Sequence, residues 1–238
     1  MSSTQGQQVA VVTGASRGIG DGLVTAYRKL GWAVVANART IAPSDDADLV
    51  TVQGDIADPG TPERVISAAI ERFGRVDTLI NNAGLFVAKP FTDYTEEEFA
   101  SLVAVNLAGF FRATQQVVPH MLSQGTGHIV NITTSLVDHP NSNVPSVLAS
   151  LTKGGLQAAT KSLAIEYAAR GIRSNAVSPG IIKTPMHPVE THESLAGLHP
   201  VGRMGELSEI VEAVLYLESA QFVTGEILHV DGGQSAGH

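Results

Sequence analysis

An α/β fold is predicted for this chain: a doubly wound, mostly parallel sheet flanked by helices in a single domain. Three features carry the prediction. Short apolar runs of strand length alternate with longer amphipathic stretches from Val9 onward. A glycine-rich turn, TGASRGIG at 13–20, joins the first apolar run to the first amphipathic stretch. The 238 residues, 43% hydrophobic and 16% charged, suffice for one sizeable core.

Val9 to Val12 reads as the first strand and DGLVTAYRKLG at 21–31 as a helix closed by Gly31. Ala33 to Ala36 and Leu49 to Gln53 are strands, and the 39–48 connection between them is too short for a full crossover helix. A helical pattern at 61–73 precedes the strand Thr78 to Ile80. Thr95 and Glu98 have capping-box spacing at the start of a long helix, and the strand His128 to Ile132 follows it. Pro145 suits a first helical turn and is expected to open a helix reaching to Ala169 or so. Ile172 to Val177 makes a strand ending in Ser178-Pro179-Gly180. The 179–206 stretch holds Pro179, Pro185, Pro188 and Pro200 without periodicity, so it reads as a long loop whose 183–206 part is a substrate lid. Met186, Val189 and Leu195 would give that lid an apolar underside. A helix at 207–218 and the strand Ile227 to Val230 complete the series. No repeat or linker divides it, so residues 1–238 form one domain. In such sheets ligands bind beyond the carboxyl ends of the strands.

Composition excludes several function classes. The net charge is −8, from 15 Lys and Arg against 23 Asp and Glu, without a basic block, so nucleic acid is not an expected partner. No apolar run reaches membrane-spanning length, and the start MSSTQGQQ has neither a basic head nor an apolar stretch, so a cytoplasmic protein without membrane contact is expected. There is no cysteine, hence no disulfide and no thiolate nucleophile. His187, His192 and His199 lack the spacing that puts zinc ligands on one helix face, so they read as lid or surface residues and no metal is expected.

In the glycine-rich turn, Gly14, Gly18 and Gly20 remove side chains where a strand turns into a helix. A phosphate can then approach the backbone N–H groups of the turn and of the helix start, among Ser16, Arg17 and Ile19. This turn, Asn81-Asn82-Ala83-Gly84 after the fourth strand, Asn106 in VNLAG, Lys153 in a helix and Ser178-Pro179-Gly180 follow one another in order. Over nearly the whole chain the pattern resembles the short-chain dehydrogenase/reductase family, with the closing HVDGG similar to its classical branch.

The resemblance implies a Rossmann-type sheet of seven mostly parallel strands, a homodimer or homotetramer, and a nicotinamide dinucleotide cofactor. In Ala36-Asn37-Ala38-Arg39, Ala38 stands where an acidic residue would engage the adenosine ribose hydroxyls. Arg39 follows, and its guanidinium can clamp a 2′-phosphate with help from Arg17, which favours NADP(H) over NAD(H). By the same resemblance Asp55 and Ile56 meet the adenine, while Asn82, Ala83 and Gly84 pass the adenosine ribose and phosphates. Pro179, Gly180, Ile182 and Thr184 hold the carboxamide, and Lys153 binds the nicotinamide ribose.

Hydride transfer to a carbonyl leaves an alkoxide that must be protonated, and the family uses a tyrosine four residues before the lysine. Here Ala149 occupies that position, no tyrosine occurs in 141–152, and Tyr167 lies too far along the helix. Thr134 aligns with the family's carbonyl-polarising serine, with Ser135 as the alternative, and Asn106 with the asparagine that holds a water against the lysine. His139 follows as a substitute acid or an ordinary loop histidine. Three readings stay open: a water relay held by Lys153, Ser146 and Thr134 or Ser135; an iminium substrate that needs no proton; or an NADP(H)-binding pseudoenzyme serving as sensor or partner subunit. The expected activity is NADPH-dependent reduction of a small carbonyl or imine compound, and Ala149→Tyr is expected to raise ketone reduction if the helix keeps the family's geometry.

Overall fold

The computed structural model describes residues 6–237, so Met1 to Gln5 of the polar start and His238 lie outside the described residues. The strands are β1 (Val9–Thr13), β2 (Ala33–Ala38), β3 (Leu49–Gln53), β4 (Thr78–Asn81), β5 (Gly127–Ile132), β6 (Ile172–Pro179) and β7 (Ile227–Val230). The helices are α1 (Gly18–Lys29), α2 (Gly60–Phe73), α3 (Glu96–Leu102), α4 (Phe110–Gln124), α5 (Val147–Tyr167), α6 (His192–Ala196) and α7 (Leu207–Ser219). All seven strands pair in parallel, in the order β3-β2-β1-β4-β5-β6-β7. This is the Rossmann-type sheet, and the short link between β2 and β3 contains no helix, as its length requires.

Parallel strands covered on both faces are predominantly apolar, and β1, VAVVT, is buried at all five positions. Its side chains alternate between two cores. Ala10 and Val12 join Val34, Ala36 and Ile80 beneath α1 and α7, packed on Leu23, Tyr27, Ile210, Val214 and Leu217. Val9 and Val11 join Ala33, Val35 and Leu79 beneath α2 and α4, packed on Val65, Ile66, Val117 and Met121. At the amino ends of the strands, Glu218 of α7 is partly buried and accepts hydrogen bonds from Tyr27 and Thr78, each at 2.7 Å, with His128 Nδ1 at 3.3 Å. This charge cluster sits at the opposite end of the sheet from the strand ends where ligands bind.

Several boundaries differ from the sequence pattern. Pro145 does not open α5; Ser146 takes the N-cap position and Val147 begins the helix. The expected loop 179–206 carries a short turn at Val189–Thr191 and the single-turn α6. Between α3 and α4 the helix widens into a π-helical segment, Val103–Gly109, which apolar periodicity does not encode and which places Asn106 in the interior. Thr95 does cap α3: its hydroxyl accepts the Glu98 N–H at 3.2 Å, and Glu98 accepts the Thr95 N–H at 2.9 Å. Thr95→Ala should cost ~1 kcal/mol and lower the melting temperature by ~2–4 °C in calorimetry.

Candidate functional site

The strand order reverses between β1 and β4, and a cavity of about 770 Å³ opens beyond their carboxyl ends. Its floor is the glycine-rich turn. Gly14 and Gly18 have φ of 66° and 59°, a region costly for residues with a Cβ. A Cβ on Gly14 would come within 2.8 Å of the Ala83 backbone. The turn is stapled to β4 by side chains: Asn82 Nδ2 donates to the Thr13 and Gly14 carbonyls at 2.9 and 3.1 Å, and the Thr13 hydroxyl accepts the Asn82 and Ala83 N–H groups. No side chain caps α1, so its first N–H groups stay free beside the cavity for an anion.

Of the residues expected to hold the cofactor, all but Gly20 line this cavity. Gly20 serves packing instead, because a Cβ there would meet the Gly14 carbonyl oxygen at 2.3 Å. At one end stand Ala38, the last residue of β2, and Arg39. The Arg39 and Arg17 side chains are exposed and have no ion-pair partner among the described residues, so both are free to meet a phosphate. Asp55 Oδ1 accepts the Ala57 N–H at 3.0 Å, and Ile56 beside it is buried. These residues and the free α1 terminus fit an adenosine phosphate and a pyrophosphate by shape and charge.

Lys153 defines the other end. Its ammonium donates to the Ile132 carbonyl at 2.7 Å, and a Cβ on Gly84 would come 2.8 Å from its Nζ. Only 9% of Lys153 is exposed, and burial lowers its pKa to about 8. Thr134 and Ser135 both line the cavity but differ in freedom. The Thr134 hydroxyl accepts the Leu136 N–H at 3.4 Å and keeps its own proton for another acceptor. Ser135 is buried and donates to Gln234 Oε1 at 2.8 Å, so its proton is committed.

Asn106 lies behind the wall. Its amide bonds both the N–H and the C=O of Leu85, at 2.8 and 3.0 Å, and donates to the Thr152 hydroxyl at 2.9 Å. Its side chain thus orders the segment after Gly84 and the residue before Lys153. Ala149 is fully buried and does not line the cavity, and neither does Ser146. None of the four tyrosines lines it: Tyr27 bonds Glu218, Tyr94 bonds the Val87 carbonyl, Tyr167 packs at the end of α5, and Tyr216 is exposed. His139 is half-buried and is not on the cavity wall.

The lid contributes Pro185, Met186, His187 and Leu195, whereas Val189 points to solvent at 78% exposure. Burial first, and then His192, hold the His187 imidazole below its ordinary pKa. His199 corrects the reading of the lid histidines as surface groups. It is 4% exposed and packs into the sheet end. Among the described residues no cluster of three or more histidines and carboxylates is arranged to hold a metal. No sequence pattern marks Asn143, Val144 or Gln234, which line the cavity from a long loop and from the turn after β7.

A family model described as enoyl-(acyl carrier protein) reductase matches residues 14–235. Among curated relatives, 2-(R)-hydroxypropyl-CoM dehydrogenase of Xanthobacter autotrophicus is 36% identical, covering 96% of this chain and 99% of its own. The 3-oxoacyl-[acyl-carrier-protein] reductase FabG of Thermotoga maritima is 33% identical over 95% of this chain and 97% of its own. Among solved structures, ElxO with NADP bound superposes with a TM-score of 0.89 at 27% identity, covering 97% of this chain and all of that one. The 3-ketoacyl-(acyl-carrier-protein) reductase of Brucella melitensis complexed with NADH gives 0.88 at 32% identity, over 96% of this chain and 98% of that one. With its sheet order, glycine-rich turn and buried lysine, this chain belongs to the short-chain dehydrogenase/reductase family of oxidoreductases.

Proposed function

We propose that the protein is an NADPH-dependent reductase that transfers hydride to a small carbonyl, imine or iminium compound. The observation that carries this reading is one continuous cavity with unpaired Arg17 and Arg39 at one end and Lys153 and Thr134 at the other. When bound, NADPH supplies the hydride. The chain's own residues bind, orient and deliver a proton. Arg39 and Arg17 take the 2′-phosphate, the uncapped α1 terminus takes the pyrophosphate, and Lys153 takes the nicotinamide ribose.

Thr134, rather than the committed Ser135, donates to the substrate oxygen. Ala149 has no proton to give, so for a ketone the proton comes from Lys153 through a water, and for an iminium none is needed. Beyond Lys153, which the nicotinamide ribose engages, the substrate end is lined by Leu85, Phe86, Leu136, Val144, Met186 and Leu195, and its one further ionisable group is His187, which burial disposes to stay neutral. This mostly apolar lining supports a small substrate without an anionic group.

The non-catalytic reading is favoured by one observation, the tyrosine-free wall around Lys153. NADPH consumption against ketones paired with cyclic imines of matched shape, with NADH as control, decides. Ketone turnover is the result expected of the water relay; turnover of imines alone selects the iminium reading; tight NADPH binding with no turnover across the panel favours the pseudoenzyme. We assign assembly as a homodimer or homotetramer to the exposed face of α5, where Val147, Leu151 and Ile165 form one stripe. Light scattering at micromolar concentration tests it. A cytoplasmic location goes with this reading; among the described residues no helix is long and apolar enough to cross a membrane.

A further inference from the structure

We infer that His199 is a positioning residue: as a neutral imidazole it latches the Gly180–Ile181 backbone that forms the wall beside Lys153, and protonation releases the latch. The geometry assigns the tautomer. Nε2 lies 2.9 Å from the Ile181 N–H, a group that only donates, so Nε2 is the acceptor and the ring proton sits on Nδ1. Nδ1 is buried and makes no hydrogen bond of ordinary geometry.

The ring is wedged between two strand ends. A Cβ on Gly180, after β6, would come 2.8 Å from Nε2, and a Cβ on Gly232, after β7, 3.3 Å from the His199 Cβ. His199 therefore ties the far end of the lid to the sheet. The Gly180 N–H also donates to the Val230 carbonyl and the Ile181 carbonyl accepts the Gly205 N–H, both backbone bonds; beyond them Lys183 bonds the Gly205 carbonyl through its N–H and pairs with Glu206 through its side chain. Among the described residues His199 is the one side chain bonded to the Gly180–Ile181 backbone, and so the one there that pH can switch.

An imidazolium has N–H groups on both nitrogens, and its Nε2–H would face the Ile181 N–H. Two donors cannot bond, so Ile181 must separate from the ring. Burial holds the His199 pKa below the ordinary histidine range, against smaller opposing pulls from the Ala196 and Leu195 carbonyls and from Asp231. The charged groups facing the ring are Asp231 at the end of β7 and the Arg203–Glu209 pair, 2.6 Å apart, which borders the adjoining small cavity. Asp231 is occupied with the Gly233 and Ser235 N–H groups at 3.0 and 2.8 Å. The latch is thus closed at neutral pH and opens as pH falls below the histidine range.

The consequence for cofactor affinity rests on the NADPH reading, so two experiments separate the claims. In the cofactor-free wild-type protein, hydrogen exchange is followed at Ile181 and at Gly205 between about pH 7.5 and pH 5. The Ile181 protection factor should fall while that of Gly205 falls less; constant protection at Ile181 overturns the latch whatever binds in the cavity. NADPH dissociation constants are then measured for wild type, His199→Gln and His199→Ala. The glutamine carbonyl can accept the Ile181 N–H and does not titrate, so His199→Gln should match wild type at neutral pH and lack part of its acid-side weakening. His199→Ala should bind about tenfold more weakly than wild type at neutral pH, the loss of one buried hydrogen bond, and the gap should close toward acid pH, where wild type loses the same bond. Because the 2′-phosphate also titrates near pH 6, the signal is the difference between variants. Superimposable wild-type and His199→Gln profiles refute the switch, and failure of NADPH to bind at any pH refutes the cofactor reading alone.

Discussion

Lys153→Met is expected to abolish most turnover while making the protein more stable. The buried ammonium serves both halves of the proposed reaction, as the hold on the nicotinamide ribose and as the proton source, so the loss in kcat should be roughly 10²–10⁴-fold. The same burial is a standing cost. Lowering its pKa from 10.5 to about 8 means that the folded state disfavours the charged form by about 3 kcal/mol at neutral pH. The unfolded chain keeps its proton to above pH 10 while the folded one loses it near 8. Wild-type stability should therefore rise with pH across that window, and that rise should be absent in Lys153→Met. Loss of the bond to the Ile132 carbonyl offsets ~1 kcal/mol, leaving a net gain of ~2 kcal/mol at pH 7 in cofactor-free denaturation. An unchanged or lower stability with correct folding would mean that the lysine's bonds outweigh its desolvation.

In wild type, ketone reduction at saturating NADPH should be flat up to about pH 8 and then fall tenfold per unit as Lys153 loses its proton. An N-alkylated iminium, which accepts hydride without a proton, should not show that fall. An equal decline for both substrates would assign the titration to cofactor binding instead of proton delivery.

Arg39→Ala should weaken NADPH roughly 10–100-fold and leave NADH nearly unchanged, because only the 2′-phosphate distinguishes the two and charge-assisted bonds are the strong ones. Arg39 is exposed, so its contribution is screened, and the wild-type preference for NADPH should shrink with added salt. Isothermal titration with both cofactors at two ionic strengths measures it. Equal losses for NADPH and NADH would show that the guanidinium contacts something other than the 2′-phosphate. Lys at this position should recover only part of the affinity, since an ammonium cannot form the bidentate fork.

The fold and the glycine-rich, proposed phosphate-binding half of the site were legible because they depend on local signals. A strand buried on both faces is built around a run of apolar residues, and glycine is needed where a Cβ would strike Ala83 or the Gly14 carbonyl. Even there the reason could differ from the reading: Gly20 is required for packing and does not touch the cavity. The catalytic half was less legible because it is assembled across the chain. Nothing local reveals that Gln234 takes the proton of Ser135, ninety-nine residues away, and leaves Thr134 as the free hydroxyl. Likewise a histidine in a proline-rich loop carries no sign that it will be wedged against Gly180 and Gly232. Ala149 was correctly located on the helix, but its complete burial changes one expectation. Ala149→Tyr must displace packed neighbours, so its first effect should be a destabilisation of ~1–3 kcal/mol, without a gain in ketone reduction unless the 138–146 loop moves.

The position of β1 in the middle of the sheet bears on how the protein is made. β1 is the first strand of this sheet in chain order, yet one of its neighbours, β4, begins at Thr78, and the cavity walls run from Gly14 to Gln234. Most of the pairings that complete the sheet join segments far apart in sequence, which is the high-contact-order arrangement that folds slowly. A chain still on the ribosome can pair β1 with β2 early, but it has no closed cavity until the turn after β7 has emerged. The residues proposed to hold the cofactor run from Gly14 to Thr184, so cofactor can engage only after β6 and the segment behind it have joined the sheet, and acquisition of NADPH-binding fluorescence should follow the gain of helical signal in refolding.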